Sequence, residues 1–131
     1  MKKQIIATDK APPASGPYSQ AVRVGDLVYT AGTLGVMPAD RSLAGPDVES
    51  QARQALTNLK HVLEAAGSCL DCVVKATVYL ADIKDWPALN EIYKEYFTKD
   101  FPARAAFQVG ALPMNPRVEI ELVAVACDHC H

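Results

Sequence analysis

The chain has 131 residues, half of them hydrophobic, and a formal net charge of −2 at pH 7. That size suits one domain with a real core, and scattered lysines and arginines on an acidic chain leave no footprint for a nucleic acid or anionic membrane. No apolar run approaches the roughly 18 to 20 residues of a membrane span, and MKKQIIATDK has no apolar segment behind its lysines, so a soluble intracellular protein is expected, cytoplasmic by default with a mitochondrial home left open.

Residues 4–7 suit a short edge strand, and the prolines of KAPPASGPY, residues 10–18, exclude helix there. Residues 21–24 and 27–31 are apolar runs joined by Gly25-Asp26, a hairpin signal. Residues 32–45, with Gly35, Pro38 and Gly45, read as a loop. Val48, Ala52, Ala55, Leu56, Leu59, Val62, Leu63 and Ala66 then recur at three- and four-residue steps, the apolar stripe of a helix. Pro46 and Asp47 suit its start and Gly67 its stop. Residues 73–80 are β-branched and aromatic, a strand. Asp85 and Pro87 open a second helix through Thr98, and residues 105–109 and 118–127 complete the strands. No repeat or linker interrupts what reads as one domain over residues 1–126, followed by a disordered Cys/His tail over residues 127–131.

Cys69 and Cys72 form one C-x-x-C and Cys127 and Cys130 another, with His129 and His131 beside the second. Two such pairs can hold zinc, but the stretch between them is far longer than the roughly 15 to 20 residues of a zinc ribbon. The expectation is therefore no native metal site, with oxidation or adventitious metal binding of an exposed tail preferred.

The segment FPARAAFQVGALPMNPRVEIE, residues 101–121, carries the chemistry. Arg104 heads a small-residue strand, Glu119 stands near the head of the next, and Gly110, Pro113 and Pro116 punctuate a connection that can fold the two strands together. If they pair, a planar, permanently charged guanidinium suited to gripping a carboxylate meets a Glu that can orient or activate water. The pattern suggests chemistry on a small organic acid. On the last strand one face carries Val118, Ile120, Leu122, Ala124 and Ala126, while the other carries Glu119 and Glu121, then Val123 and Val125. Two helices cover only one sheet face, so the second apolar surface favours burial against other copies of the chain.

GPYSQA at residues 16–21, FPARAAF at 101–107 and RVEIELVAVA at 117–126 resemble the reactive-intermediate deaminase (RidA, or YjgF-type) family. QARQALTNLKHVLEAAG and VVKATVYLADIKDW match the same family in order and spacing, from about residue 5 to 126. PARAAF is similar to the animal-type branch. The resemblance implies a chorismate-mutase-like α+β fold, with one mixed sheet, two helices on one face, and a homotrimer with its sheets inward. It implies hydrolysis of 2-imino and enamine acids to 2-keto acids and ammonia, with no metal and no cofactor, in clefts between subunits. Arg104 matches the family's carboxylate-binding arginine, against the ordinary fate of a surface ion pair. Glu119 matches the glutamate that positions water; near Arg104 its pKa is expected to fall, favouring orientation over proton abstraction. Glu121, on the same strand face, is the exposed carboxylate without a role. Tyr18 matches a tyrosine near the apolar part of the substrate, where the plainer reading is a loop anchor. Asn90 matches a helix asparagine reaching the site across the subunit boundary, where the plainer reading is a solvated helix position. Ala31 and Gly32 offer backbone groups to the ligand, although many members have serine at Ala31 and glutamine at Thr33. Ala106 replaces a bacterial cysteine and keeps its backbone N–H for the substrate. Rival readings are a translation-inhibiting endoribonuclease, the only one with an RNA partner, and a non-catalytic ligand-binding or chaperone-like trimer.

Overall fold

The computed structural model describes residues 1–128. Its elements are β1 (Lys3–Ile6), β2 (Ala21–Val24), β3 (Leu27–Thr30), β4 (Thr33–Leu34), α1 (Val48–Ala65), β5 (Val73–Leu80), α2 (Trp86–Tyr96), β6 (Ala103–Gln108) and β7 (Val118–Val125). One mixed sheet takes the order β1-β2-β3-β7-β5-β6, and β4 also pairs with β7. The β5–β6 pair is parallel and the other named pairs are antiparallel. Among the described residues, no helix is long and apolar enough to cross a membrane.

Local chemistry explains the helix ends. The Asp47 carboxylate accepts the Ser50 N–H at 2.9 Å and caps the start of α1. Gly67, at φ +81°, takes the left-handed conformation that ends the helix. Leu56, Leu59 and Leu63 from α1 and Leu89 from α2 are wholly buried against the sheet face of Val28, Ala76, Val78, Ile120 and Leu122. Burying each such leucine contributes about 1.5–3 kcal/mol relative to exposure.

Two buried amides of α1 fasten the loops that frame one end of the sheet. Gln51 donates to the Gly45 carbonyl at 2.8 Å and accepts the Arg117 N–H at 2.7 Å. Asn58 donates to the Val36 carbonyl at 2.9 Å. The fit is close at Gly35, where a Cβ would stand 2.0 Å from the Gln51 carbonyl oxygen. Arg117 donates through Nε and Nη2 to one oxygen of Asp85, at 2.9 and 2.7 Å, and ties the entry of β7 to the start of α2.

Two expectations about connectivity change. Residues 32–45 are not all loop: β4 pairs with β7, and Val36 bridges to Leu43. A two-residue strand is too short to display alternation in sequence. The strands of Arg104 and Glu119 do not fold against each other either, because β5 lies between them. The segment β5–α2–β6 is a crossover unit that lays β6 parallel to β5, leaving the other edge of β5 to β7.

Both helices lie on one face. The opposite face exposes Tyr29 by 47%, Phe107 by 45% and Leu27 by 40%, and half-buries Val123 and Val125. This bare apolar surface was the one expected from the two faces of the last strand. The chain also does not loosen at residue 127. The Cys127 N–H donates to the Gly67 carbonyl at 3.1 Å, and its sulfur is bonded to Cys72. His129, Cys130 and His131, the rest of the expected tail, lie outside the described residues.

Candidate active site

A cleft of about 480 Å³ opens where the proline-rich segment before β2 crosses the break between β3 and β4. Tyr18, Ala31, Gly32 and Glu119 line it, together with Gln20 and Arg41. The break has a definite cause. β7 pairs with β3 through residues 123–125 and with β4 through residues 119–120. In between, the Leu122 N–H turns to the Thr30 hydroxyl at 2.9 Å instead of a strand carbonyl. Gln20 holds the outer wall, accepting the Thr8 N–H at 2.7 Å and donating to the Pro12 carbonyl at 2.7 Å.

Glu119 belongs to the bare face of the sheet and enters this cleft beside Gly32. A Cβ at Gly32 would stand 2.5 Å from Glu119 Oε1, so a glycine there leaves the carboxylate room. Burial, and then the charge of Glu121, raise the Glu119 pKa. The expected fall caused by Arg104 does not occur, because Arg104 lies elsewhere in the chain. A raised pKa makes the carboxylate a stronger base than an ordinary glutamate. Glu121 has a partner of its own, accepting the Tyr79 hydroxyl. That bond, followed by burial, pushes the Tyr79 pKa up to about 12 and keeps the phenol a donor.

Tyr18 stands half-exposed at the rim. Its hydroxyl lies 3.2 Å from the Ser15 hydroxyl and accepts the Ser15 N–H at 3.2 Å. These bonds lower its pKa, burial opposes them, and Arg41 lowers it further. Arg41 is a cleft cation that sequence reading missed. It sits at φ +61° in a turn closed by Asp40, and it donates to the Pro13 carbonyl at 2.6 Å. No motif marks it; only a folded loop brings it there.

Arg104, Asn90 and Ala106 form a second group at the β6 edge. The Arg104 guanidinium carbon lies 5.2 Å from the Trp86 ring centroid and 4.8 Å from that of Tyr93. Among the described residues it makes no ion pair, so the surface-pair reading fails. Asn90 shares the helical stripe of Trp86 and Tyr93, and among the described residues both its buried Oδ1 and the buried Tyr93 hydroxyl lack a hydrogen-bond partner. Ala106 is two residues along β6 from Arg104, partly buried against the core. A planar cation between aromatic rings, with unsatisfied polar atoms on the same stripe, is suited to an anionic, hydrogen-bonding ligand.

The two groups do not meet within one chain. Arg104 pairs with Ala76 and thereby aligns with Leu122, whereas Glu119 aligns with Tyr79. The backbones are thus two strands and three residues apart, on the order of 14 Å at ordinary sheet spacings, and the side chains leave opposite faces. The meeting of Arg104 and Glu119 at one sheet rim, expected from sequence, is not found in the single chain.

These features define a small α+β domain with one helix-covered face, one bare face, and two separated polar groups suited to a small ligand. The chain belongs to the endoribonuclease L-PSP family, whose profile matches residues 8–126. It is 55% identical over 123 residues to a goat 2-iminobutanoate/2-iminopropanoate deaminase, covering 94% of this chain and 90% of that protein. The fold matches RidA from the Antarctic bacterium Psychrobacter sp. PAMC 21119, with a TM-score of 0.90, 47% identity and coverage of 93% and 98% of the two chains. It also matches Escherichia coli TdcF with bound serine, with a TM-score of 0.90, 38% identity and coverage of 95% and 99%. The resemblance to the RidA family is borne out, and the animal relative shares more identity than either bacterial structure.

Proposed function

We propose that the protein is a 2-iminobutanoate/2-iminopropanoate deaminase, hydrolysing reactive 2-imino acids to 2-keto acids and ammonia. The single observation carrying this reading is Arg104: a permanently charged guanidinium over two rings, with no ion-pair partner among the described residues, on a chain 55% identical to a deaminase of that name. The serine bound to TdcF supports a small carboxylate ligand for the fold.

The reaction asks little of the protein. Water adds to the protonated imine carbon, the carbon–nitrogen bond of the resulting carbinolamine breaks, and ammonia departs as the keto acid forms. Arg104 grips the substrate carboxylate in a fork, and Asn90 Oδ1 accepts a hydrogen bond from the ligand. Glu119 orients the attacking water by accepting a hydrogen bond from it. Tyr18 covers the apolar end, and backbone groups of Ala31, Gly32 and Ala106 complete the pocket. Holding acid and water together supplies the acceleration by effective molarity.

Since the two groups face apart in one chain, the complete site is assigned to the boundary between copies. The bare face closes inward in a homotrimer, setting the β6 edge of one copy against the cleft of the next. The test generates 2-iminobutanoate in situ and follows 2-ketobutanoate release. Acceleration by the protein that is lost in Arg104→Ala supports the reading. No acceleration by an intact oligomer moves the assignment to a ligand-binding protein, and RNA cleavage that survives Arg104→Ala moves it to a ribonuclease.

A further inference from the structure

The cleft holds a cation for which hydrolysis of a short imino acid has no use. Arg41 lines it beside Tyr18, half-buried. Its Nη1 donates to the Pro13 carbonyl, and a guanidinium carries further donors. The carboxylate next to it in sequence is engaged elsewhere, because Asp40 accepts the Ser42 N–H at 3.0 Å and the Ser42 hydroxyl at 2.7 Å. Among the described residues Arg41 makes no ion pair. A closed turn presents it: the Arg41 N–H donates to the Met37 carbonyl at 2.9 Å, and the Met37 N–H donates to the Ser42 carbonyl at 2.8 Å. Arg41 at φ +61° and Met114 at φ +66° both line the cleft in the left-handed region that residues with a Cβ rarely adopt. Backbone of that kind collects at ligand-binding sites, where the surroundings hold it in place.

The two charged groups of the cleft stand at different ends. Glu119 lies against Gly32, and burial and the charge of Glu121 account for its raised pKa. Arg41 acts instead on Tyr18, whose pKa is lowered first by Ser15 and then, against burial, by a hydrogen bond and the charge of Arg41. The deaminase site puts water at Glu119 and the tail of the substrate at Tyr18. A side chain that runs past Tyr18 therefore arrives at Arg41. The cleft, about 480 Å³, falls in the roughly 300–1,000 Å³ range of pockets that take drug-sized ligands, more room than a four-carbon acid fills.

We propose that Arg41 is a specificity-determining residue that receives a carboxylate at the far end of the substrate side chain, so that the protein takes 2-imino dicarboxylic acids. The chemistry at the imine carbon rests on the deaminase reading, while recognition of the second carboxylate stands on the cleft itself. Arg104 takes the carboxylate next to the imine, and Arg41 takes the distal one. A substrate with a neutral tail leaves Arg41 to water. One with a cationic tail is repelled, so the same residue selects for one charge and against the other.

The test has a binding arm and a turnover arm, both with the full chain as its native oligomer. Calorimetry compares the keto-acid products 2-oxoglutarate and 2-oxopentanoate, which differ only in a terminal carboxylate against a methyl. It is run at about 0.15 M salt, where charges farther apart than about 8 Å are screened. Wild type is expected to bind the diacid at least about 10-fold more tightly, the worth of one charge-assisted hydrogen bond. Arg41→Gly suits the left-handed turn, and Arg41→Gln keeps a donor for the Pro13 carbonyl; both are expected to erase that preference. In the turnover arm, the kcat/KM ratio of 2-iminoglutarate to 2-iminopentanoate, each generated in situ, is expected to fall by the same factor. Equal binding of the two keto acids by wild type, or a preference that survives both substitutions, overturns the proposal. A preference lost in Arg41→Gly but kept in Arg41→Gln shows an arginine that only braces its loop, and overturns it equally. Absence of turnover with every imino acid strikes the deaminase reading alone, and the binding arm then decides the role of Arg41.

Discussion

Replacing Arg104 by lysine keeps the charge and removes the fork. The guanidinium now lies 5.2 and 4.8 Å from two ring centroids, and those ring contacts exist before substrate arrives. Their loss, about 0.5–1 kcal/mol per ring at an exposed site, mainly loosens the free protein. What binding loses is one of two parallel bonds to the substrate carboxylate, each worth about 1.5–3 kcal/mol when charge-assisted. At 1.36 kcal/mol per decade this predicts a fall in kcat/KM of about 10- to 150-fold. The carboxylate is bound equally in ground and transition states, so the fall should appear mainly as a higher KM. The assay follows 2-ketobutanoate release from 2-iminobutanoate generated in situ, with light scattering to confirm an unchanged assembly. Wild-type KM in Arg104→Lys would refute the clamp.

Glu119→Gln is expected to abolish most turnover while Glu121→Gln leaves most of it, and equal losses would remove the special role of Glu119. The raised Glu119 pKa also fixes a stability sign. The folded state favours the protonated acid, so its stabilising contribution is present below the ordinary carboxylate pKa and lost as pH rises through the folded value. In a monomeric background, away from a neighbour's Arg104, Glu119→Gln should therefore melt higher at neutral pH, with the difference closing below about pH 4; a lower melting point at neutral pH contradicts the burial argument. Val123→Asp places a charge on the bare sheet face and should yield monomers by light scattering, with deaminase activity lost alongside; an active monomer would place the whole site in one chain.

The local elements were legible because each carries its own signal. The stripe from Val48 to Ala66, the cap at Asp47 and the stop at Gly67 give α1 within a residue, and residues 73–80 give β5 outright. What sequence concealed was non-local. Arg104 and Glu119 were read as facing partners because their segments are neighbours in the chain. The helix between β5 and β6 already signalled a parallel crossover that keeps them apart. Arg41 and β4 had no periodicity to betray them, since both depend on a folded loop seated on α1. Glu119's pKa followed its true neighbours, burial and Glu121, rather than the expected one. The Cys72–Cys127 disulfide was hidden for the same reason as the strand order, because strand pairing brings residues distant in the chain together.

The central claim is that the two polar groups work together across copies of the chain. Subunit complementation tests it most directly: inactive Arg104→Ala and inactive Glu119→Gln proteins are unfolded, mixed in equal amounts and refolded together. If each site takes Arg104 from one copy and Glu119 from the next, random assembly regenerates about one quarter of the wild-type sites, and deaminase activity returns to about that level. If each site lies within one chain, every chain in the mixture carries a lesion in its own site. Activity that stays at the level of the separate variants, in oligomers shown to be mixed, would contradict the account.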